Sequence, residues 1–476
     1  MSSTIERPTE PLRILNVSPR SGGGGAQKLA YTLVQDLNRR GHDAWLAVGT
    51  VDREDPRVLE IPAGSRGPLA RAAGAARRGL SSQAVRTPAG RTLHRALRLL
   101  EAPGRVATWW QGREDFDFPG TASLPDLTAQ PPDVIHGHNL HVGYFDLRQL
   151  APLSRRVPIG LTLHDEWLLT GHCAYGLGCE RWRVGCGECP DLTIYPAIRR
   201  DATAENWAAK RAIYGASQLY ISAHSRWLLD RAKVSTLAEG ALGWRLLPTG
   251  IDLTTFRPYE RTLARRELGL PADRPILLFA ANLARTSEFK DSETVLTAMR
   301  RMATKQSDVP YLLLALGESG PSERIANSEL RWLPYEADER RLALHLQAAD
   351  VFLHAAKADN FPTTILMALA CGLPVVATAV GGIPEQVQGL AGVEGAWSGS
   401  SIAVDAASGV LVPVADVEAM TAATTVLMAD GELRSRLAVN AAADARERFD
   451  PDRQVDETIA WYRDIAQDWT SRSALA

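Results

Sequence analysis

Residues 13–48 read RILNVSPRSGGGGAQKLAYTLVQDLNRRGHDAWLAV. Arg13 to Ser18 form a short apolar run that fits a buried strand. Gly22 to Gly25 follow as an unbroken glycine run. Leu29, Leu33, Val34 and Leu37 then recur at helical spacing between Ala26 and Arg40. Gly41 stops the pattern and Ala44 to Val48 begin a second strand. Strand, glycine loop, helix and strand in that order predict the opening of a doubly wound α/β domain.

Further short apolar runs continue the series at Asp133–His136, Ile159–Leu163, Leu219–Ser222 and Arg245–Pro248. Pro248 to Pro258, PTGIDLTTFRP, reads as a turn-rich connector. Ile276–Ala280, Tyr311–Leu316, Val351–His354, Pro374–Thr378 and Val410–Pro413 form a second series with helical patterns between them. Alternating strands and helices predict parallel sheets covered by helices on both faces. The expected architecture is α/β, with two Rossmann-like domains facing a central cleft. The N-terminal domain is expected at 1–248 and the C-terminal domain at 259–450. A final amphipathic helix within 451–476 is expected to pack back toward the first domain.

The bulk numbers agree with two domains. The chain has 476 residues, of which 45% are hydrophobic, too many for one ordinary core. A charged fraction of 23% and a net charge of -2 fit neither a disordered chain nor a basic nucleic-acid binder. No apolar run reaches the roughly 20 residues that span a bilayer. The opening MSSTIERPTEP is polar and reads as no signal peptide, so a cytoplasmic location is expected.

Candidate site residues cluster where strands end. Gly23 and Gly24 lie in the first glycine loop, where backbone amides and a helix N-terminus suit an anion, or where the loop is a plain turn. His164 and Asp165 end the strand in LTLHDE, and His164 can bind a sugar hydroxyl or exchange a proton. His136 and His138 end the preceding strand and read equally as structural or functional. Arg285 and Lys290 follow the first strand of the second series and could neutralise a diphosphate, or could be solvated surface charges. Four of the five cysteines, Cys173, Cys179, Cys186 and Cys189, fall within 17 residues. They could hold a structural zinc ion, remain reduced thiols, or form disulfides.

The stretch 350–385, DVFLHAAKADNFPTTILMALACGLPVVATAVGGIPE, carries the most information. A strand ends at His354, Asp359 and Asn360 sit in a loop, and a helix starts near Pro362 with Thr363 and Thr364 beside it. With the glycine loop and PTGIDLTTFRP, it resembles the group 1 (family 4) retaining glycosyltransferases of GT-B architecture, from about residue 12 to 465. GREDFDFPGT (112–121) and the cysteine segment look like a bacterial subgroup of them. The resemblance implies a nucleotide-sugar donor held by the second domain. It places Arg285 and Lys290 near the diphosphate, Asp359 near the donor sugar, and His164 against that sugar. Asn360, Phe361, Pro362, Thr363 and Thr364 would line the donor site, and Gly23 and Gly24 would supply amides near the phosphate. In the family a second Glu grips the ribose; here that position is Met367.

The resemblance implies sugar transfer with retention and no cofactor required for catalysis. The acceptor stays unidentified among glycans, lipid-linked and natural-product compounds. A non-catalytic protein of the same architecture, acting as partner of an active transferase, is the alternative that Met367 raises. An Arg-rich segment, 66–105, could touch an anionic membrane surface or form a solvated insertion.

Overall fold

The computed structural model describes residues 10–62, 68–80, 87–101, 104–281, 287–305 and 309–474. The chain divides into two compact units. The first comprises Met1–Ala223, Leu229–Leu246 and Thr458–Ala476; the second comprises His224–Leu228 and Leu247–Glu457.

The first unit is built on seven strands: β1 (Arg13–Arg20), β2 (Asp43–Thr50), β3 (Val58–Glu60), β4 (Val134–His138), β5 (Ile159–Leu163), β6 (Leu219–Ala223) and β7 (Ala241–Leu246). They lie in the order β3-β2-β1-β4-β5-β6-β7, all parallel. Every residue of β4, β5 and β6 is buried. That is what a strand covered on both faces requires, and it explains their continuous apolar character. The helix Gly25–Arg39 turns Ala30, Leu33, Val34 and Leu37 into this core.

The second unit carries β8 (Ile276–Ala280), β9 (Leu312–Leu316), β10 (Glu323–Ile325), β11 (Ser328–Leu333), β12 (Val351–His354), β13 (Val375–Thr378) and β14 (Gly409–Val412). Their order is β10-β11-β9-β8-β12-β13-β14. The expectation of purely parallel sheets fails at one edge, where β10 runs antiparallel to β11. Only Ala326 and Asn327 link the two, with Ala326 at φ 52°. A two-residue turn returns the chain directly and needs no crossover helix. β10 is largely exposed, so no apolar run marks it in the sequence.

The last helix, Pro451–Ser473, contributes Thr458 onward to the first unit. Trp461 is 4% exposed and packs where a Cβ on Gly160 would come within 2.8 Å of its ring. Only glycine at that position in β5 admits the indole. The Tyr462 hydroxyl lies 2.7 Å from His136 Nδ1, the Tyr220 hydroxyl donates to Asp468 at 2.8 Å, and the Trp469 indole donates to the Ser154 carbonyl at 2.9 Å. This helix is therefore a core element of the first unit.

Replacing Trp461 with Ala removes one of the largest buried rings and leaves a cavity. The expected cost is about 3–5 kcal/mol, read as a lower urea midpoint for the first unit's transition with an unchanged slope. A change below about 1 kcal/mol would show the helix to be dispensable to the core.

Candidate active site

Strand order fixes where ligands can approach. In the first sheet it reverses between β1 and β4, and in the second between β8 and β12. At such a point the connections leave in opposite directions and open a crevice beyond the strands' carboxyl ends. The glycine loop follows β1 and His138 ends β4. The segment leading to Lys290 follows β8 and His354 ends β12.

In the first unit, Gly23 and Gly24 are exposed in front of the helix Gly25–Arg39. Gly23 has φ +116°, and Gly24 caps the helix with no side-chain hydrogen bond. The first-turn amides of this helix are thus not capped by a side chain, as an anion site requires. His164 is half-buried just beyond β5. Its Nε2 lies 3.1 Å from His138 Nδ1, and His138 Nε2 lies 3.1 Å from Asn16 Oδ1. His138 is thus held between Asn16 and His164, with one ring nitrogen on each. His136 has a separate role: Tyr462 and Thr162 hold its two nitrogens at 2.7 and 2.6 Å.

The chain after His164 is fixed by buried charges. Asp165 meets His141 Nε2 at 2.9 Å. Glu166 is 3% exposed, pairs with Arg231 and accepts the Gly176 amide at 2.8 Å. Burial pushes its pKa up, and Arg231 opposes that shift. Lys210 is 1% exposed and donates to the carbonyls of Trp167 and Thr170 at 2.8 and 3.0 Å. It sits 3.6 Å from the Trp167 ring centroid and 3.6 Å from Glu114, and burial lowers its pKa. Glu114 belongs to the GREDFDFPGT segment, so Lys210 ties that segment to the chain following His164.

Cys173, Cys179, Cys186 and Cys189 line one pocket together with His172 and Trp182. All four are free thiols, so the disulfide alternative is set aside in this structure. Burial pushes Cys173 up to about 12 and Cys186 up to about 11. The Gly171 amide lies 3.3 Å from the Cys186 sulfur, and His172 Nε2 lies 3.4 Å from the Cys189 sulfur. Among the described residues, no three His, Cys, Asp or Glu side chains already stand as a metal-ligand set.

In the second unit, Lys290 and Asp359 form an ion pair. Lys290 bridges Ala356 backbone to backbone, and the Lys357 amide donates to the Phe289 carbonyl at 2.8 Å. This short pairing fixes the lysine against the loop that carries Asp359. Burial alone would push Asp359 up, but Lys290, followed by His354, holds it down at about 2. Asn360 is 2% exposed and accepts the Ser225 hydroxyl. Phe361 packs on the Phe449 ring at 6.0 Å. Pro362 is the N-cap of the helix Thr363–Ala370, one residue earlier than the first turn expected for it, and Thr363 and Thr364 are half-buried there. Met367 is 7% exposed and belongs to the apolar core.

The glycines after β13 have a steric purpose. A Cβ on Gly381 would lie 1.8 Å from the Asp359 carbonyl oxygen, and one on Gly382 would lie 2.1 Å from that of Asn360. Gly381 also has φ +60°. The two glycines let the post-β13 loop seat against the Asp359–Asn360 loop. Glu385 accepts the amides of Arg226 and Trp227 at 2.8 and 2.7 Å, which caps the helix Arg226–Lys233.

Arg285 lies outside the described residues, as do Arg66 and Arg86 of the Arg-rich segment. Sequence reasoning passed over Lys210, His354 and the capping role of Glu385. Only the histidine at a strand's carboxyl end carried a readable signal. Among the described residues no helix is long and apolar enough to cross a membrane.

A family model described as glycosyl transferases group 1 matches residues 260–444. The putative colanic acid biosynthesis glycosyl transferase WcaC of Escherichia coli (strain K12) is 27% identical over 52% of this chain, which spans 60% of that relative's length. A D-inositol 3-phosphate glycosyltransferase of Xylanimonas cellulosilytica is 31% identical over 65% of this chain and 72% of its own. Among solved structures, Anabaena Alr3699/HepE in complex with UDP-glucose superposes with TM-score 0.55 at 15% identity, covering 94% of this chain and 99% of that one. That likeness is one of fold.

Asp359 sits below its ordinary range, so it stabilises the fold above the unfolded value near 4 and loses that contribution as pH falls toward about 2. The expected size is about 2 kcal/mol. Asp359→Asn should flatten the stability profile between pH 4 and pH 2. Identical acid profiles for the two proteins would remove the ion pair from the account.

Proposed function

The chain belongs to the group 1 glycosyl transferases, and we propose that it moves a sugar from a nucleotide-diphosphate donor to an acceptor, with retention at the anomeric carbon. The observation that carries this reading is the Lys290–Asp359 pair, set at the β8/β12 switch point. An ammonium on a backbone anchored beside this loop suits a departing diphosphate, and a carboxylate held ionised suits sugar hydroxyls. UDP-glucose in the Anabaena neighbour is a donor of the class proposed.

The bond between the anomeric carbon and the diphosphate oxygen breaks, and its electron pair leaves with the phosphate. Lys290 stabilises that charge. The acceptor oxygen forms the new bond on the same face and its proton passes to the leaving phosphate. His164, oriented through His138, is assigned a sugar hydroxyl, and the amides of Gly23 and Gly24 a phosphate oxygen. The acceptor is left open among glycans, lipid-linked compounds and natural products.

Met367 supports one competing reading. An apolar residue absorbed in the core offers nothing to a ribose, which would suit a non-catalytic partner of an active transferase. The test is thermal unfolding with UDP, ADP, GDP and TDP and their sugar esters. A donor at a hundred times its dissociation constant should stabilise the protein by about 2.7 kcal/mol. Lys290→Ala should lower turnover by about 100-fold or more. No shift with any donor supports the non-catalytic reading, and unchanged turnover in Lys290→Ala removes that lysine's role.

We also propose a structural zinc ion for the cysteine pocket. It would draw the four sulfurs in to about 2.3 Å from one centre and staple the chain that follows Asp165. One zinc per chain by elemental analysis, lost in Cys186→Ser, is the expected result. A metal-free protein whose four thiols titrate freely would overturn it.

A further inference from the structure

His354 is buried at the carboxyl end of β12, with 1% of its surface exposed. Among the described residues neither ring nitrogen has a hydrogen-bond partner. A buried polar group left in that state is costly, and a leucine of similar size would pack there without the penalty. Its Nε2 points toward Asp359 and stops 3.8 Å from Oδ2, the same oxygen that Lys290 holds. That gap exceeds a hydrogen bond by about half an ångström or a little more. One carboxylate oxygen therefore faces two donors: the lysine makes the close contact, and the histidine acts on it from beyond hydrogen-bond distance.

We propose that His354 is the positioning residue that takes over Asp359 when a donor's diphosphate draws Lys290 away. The inference rests on the reading that such a donor binds beside Lys290. A diphosphate competes with Asp359 for the ammonium, because both are anions and the phosphate carries the greater charge. Without a replacement, the carboxylate would be left buried and unpaired. The imidazole Nε2–H supplies the replacement by closing a short gap. It keeps Asp359 ionised and aimed at the sugar hydroxyls. Burial, and then the charge on Lys290, holds His354 below its usual range, so it meets the pair as a neutral N–H donor. The unsatisfied nitrogen of the free protein is accordingly the group that donor binding satisfies.

The experiment compares wild type, His354→Leu and His354→Gln. Glutamine places an amide N–H near the position of Nε2; leucine keeps bulk and removes the donor. Nucleoside diphosphates and their glucose esters are titrated against each protein, with unfolding temperature measured first without ligand. Wild type must bind at least one sugar ester; if it binds none, the functional reading itself fails. Given binding, His354→Leu should unfold at or above the wild-type temperature when free. It should weaken the matching diphosphate and its sugar ester alike by at least about tenfold, because either ligand draws Lys290 away, while His354→Gln recovers most of the loss. Equal affinity of His354→Leu and wild type for the sugar ester overturns the proposal. So does equal weakening in His354→Leu and His354→Gln, or an impaired free-state stability in both variants, since each marks a packing role. Should His354→Leu fail to fold, His354→Met, which also removes the donor, takes its place with the same two outcomes.

Discussion

A parallel strand must be followed by a crossover that carries the chain back to the opposite edge of the sheet. Every strand's carboxyl end therefore lies on one edge, and every loop that leaves it opens on the same side. Both sheets here obey that constraint over nearly their whole width. The glycine loop, His138 and His164 become neighbours in the first unit for this reason. Lys290, His354 and Asp359 become neighbours in the second by the same geometry. The antiparallel β10 departs from the rule at an outer edge, away from the switch point.

Around these edges the structure buries charge, and desolvation decides which charges survive. Asp359 stays ionised because a fixed ammonium outweighs burial. Glu166 is pushed up despite Arg231, and Lys210 is pushed down despite two carbonyl acceptors and Glu114. Such groups are costly to bury and more costly to orphan. Each clamps a loop: Glu166 the cysteine segment, Lys210 the chain after His164, and Asp359 the loop after β12. The site side chains thus inherit their positions from electrostatic staples more than from their own packing.

The units are also discontinuous in sequence. Thr458 to the end of the last helix belongs to the first unit's core, through Trp461 against Gly160 and Tyr462 against His136. His224–Leu228 belongs to the second, where Ser225 donates to Asn360 and Glu385 takes the amides of Arg226 and Trp227. A glutamate that reads in the sequence as another polar loop residue is in fact a helix cap 158 residues from its nearer partner.

Local periodicity and turn chemistry determined much by themselves. Short apolar runs marked most of the strands, and Ile159–Leu163, Ile276–Ala280 and Val351–His354 match at both ends. The strand-end rule singled out His164 and Lys290 as candidates, since strand ends are visible along one chain, and the family resemblance added Asp359. Sheet order, by contrast, is a matter of which strands pair, and pairing joins residues far apart in sequence. Tertiary structure alone placed His138 behind His164, sank Lys210 under Trp167, set His354 beside Asp359 and folded Met367 into the core. Those outcomes depend on burial and on distances across the fold, and a linear pattern encodes neither.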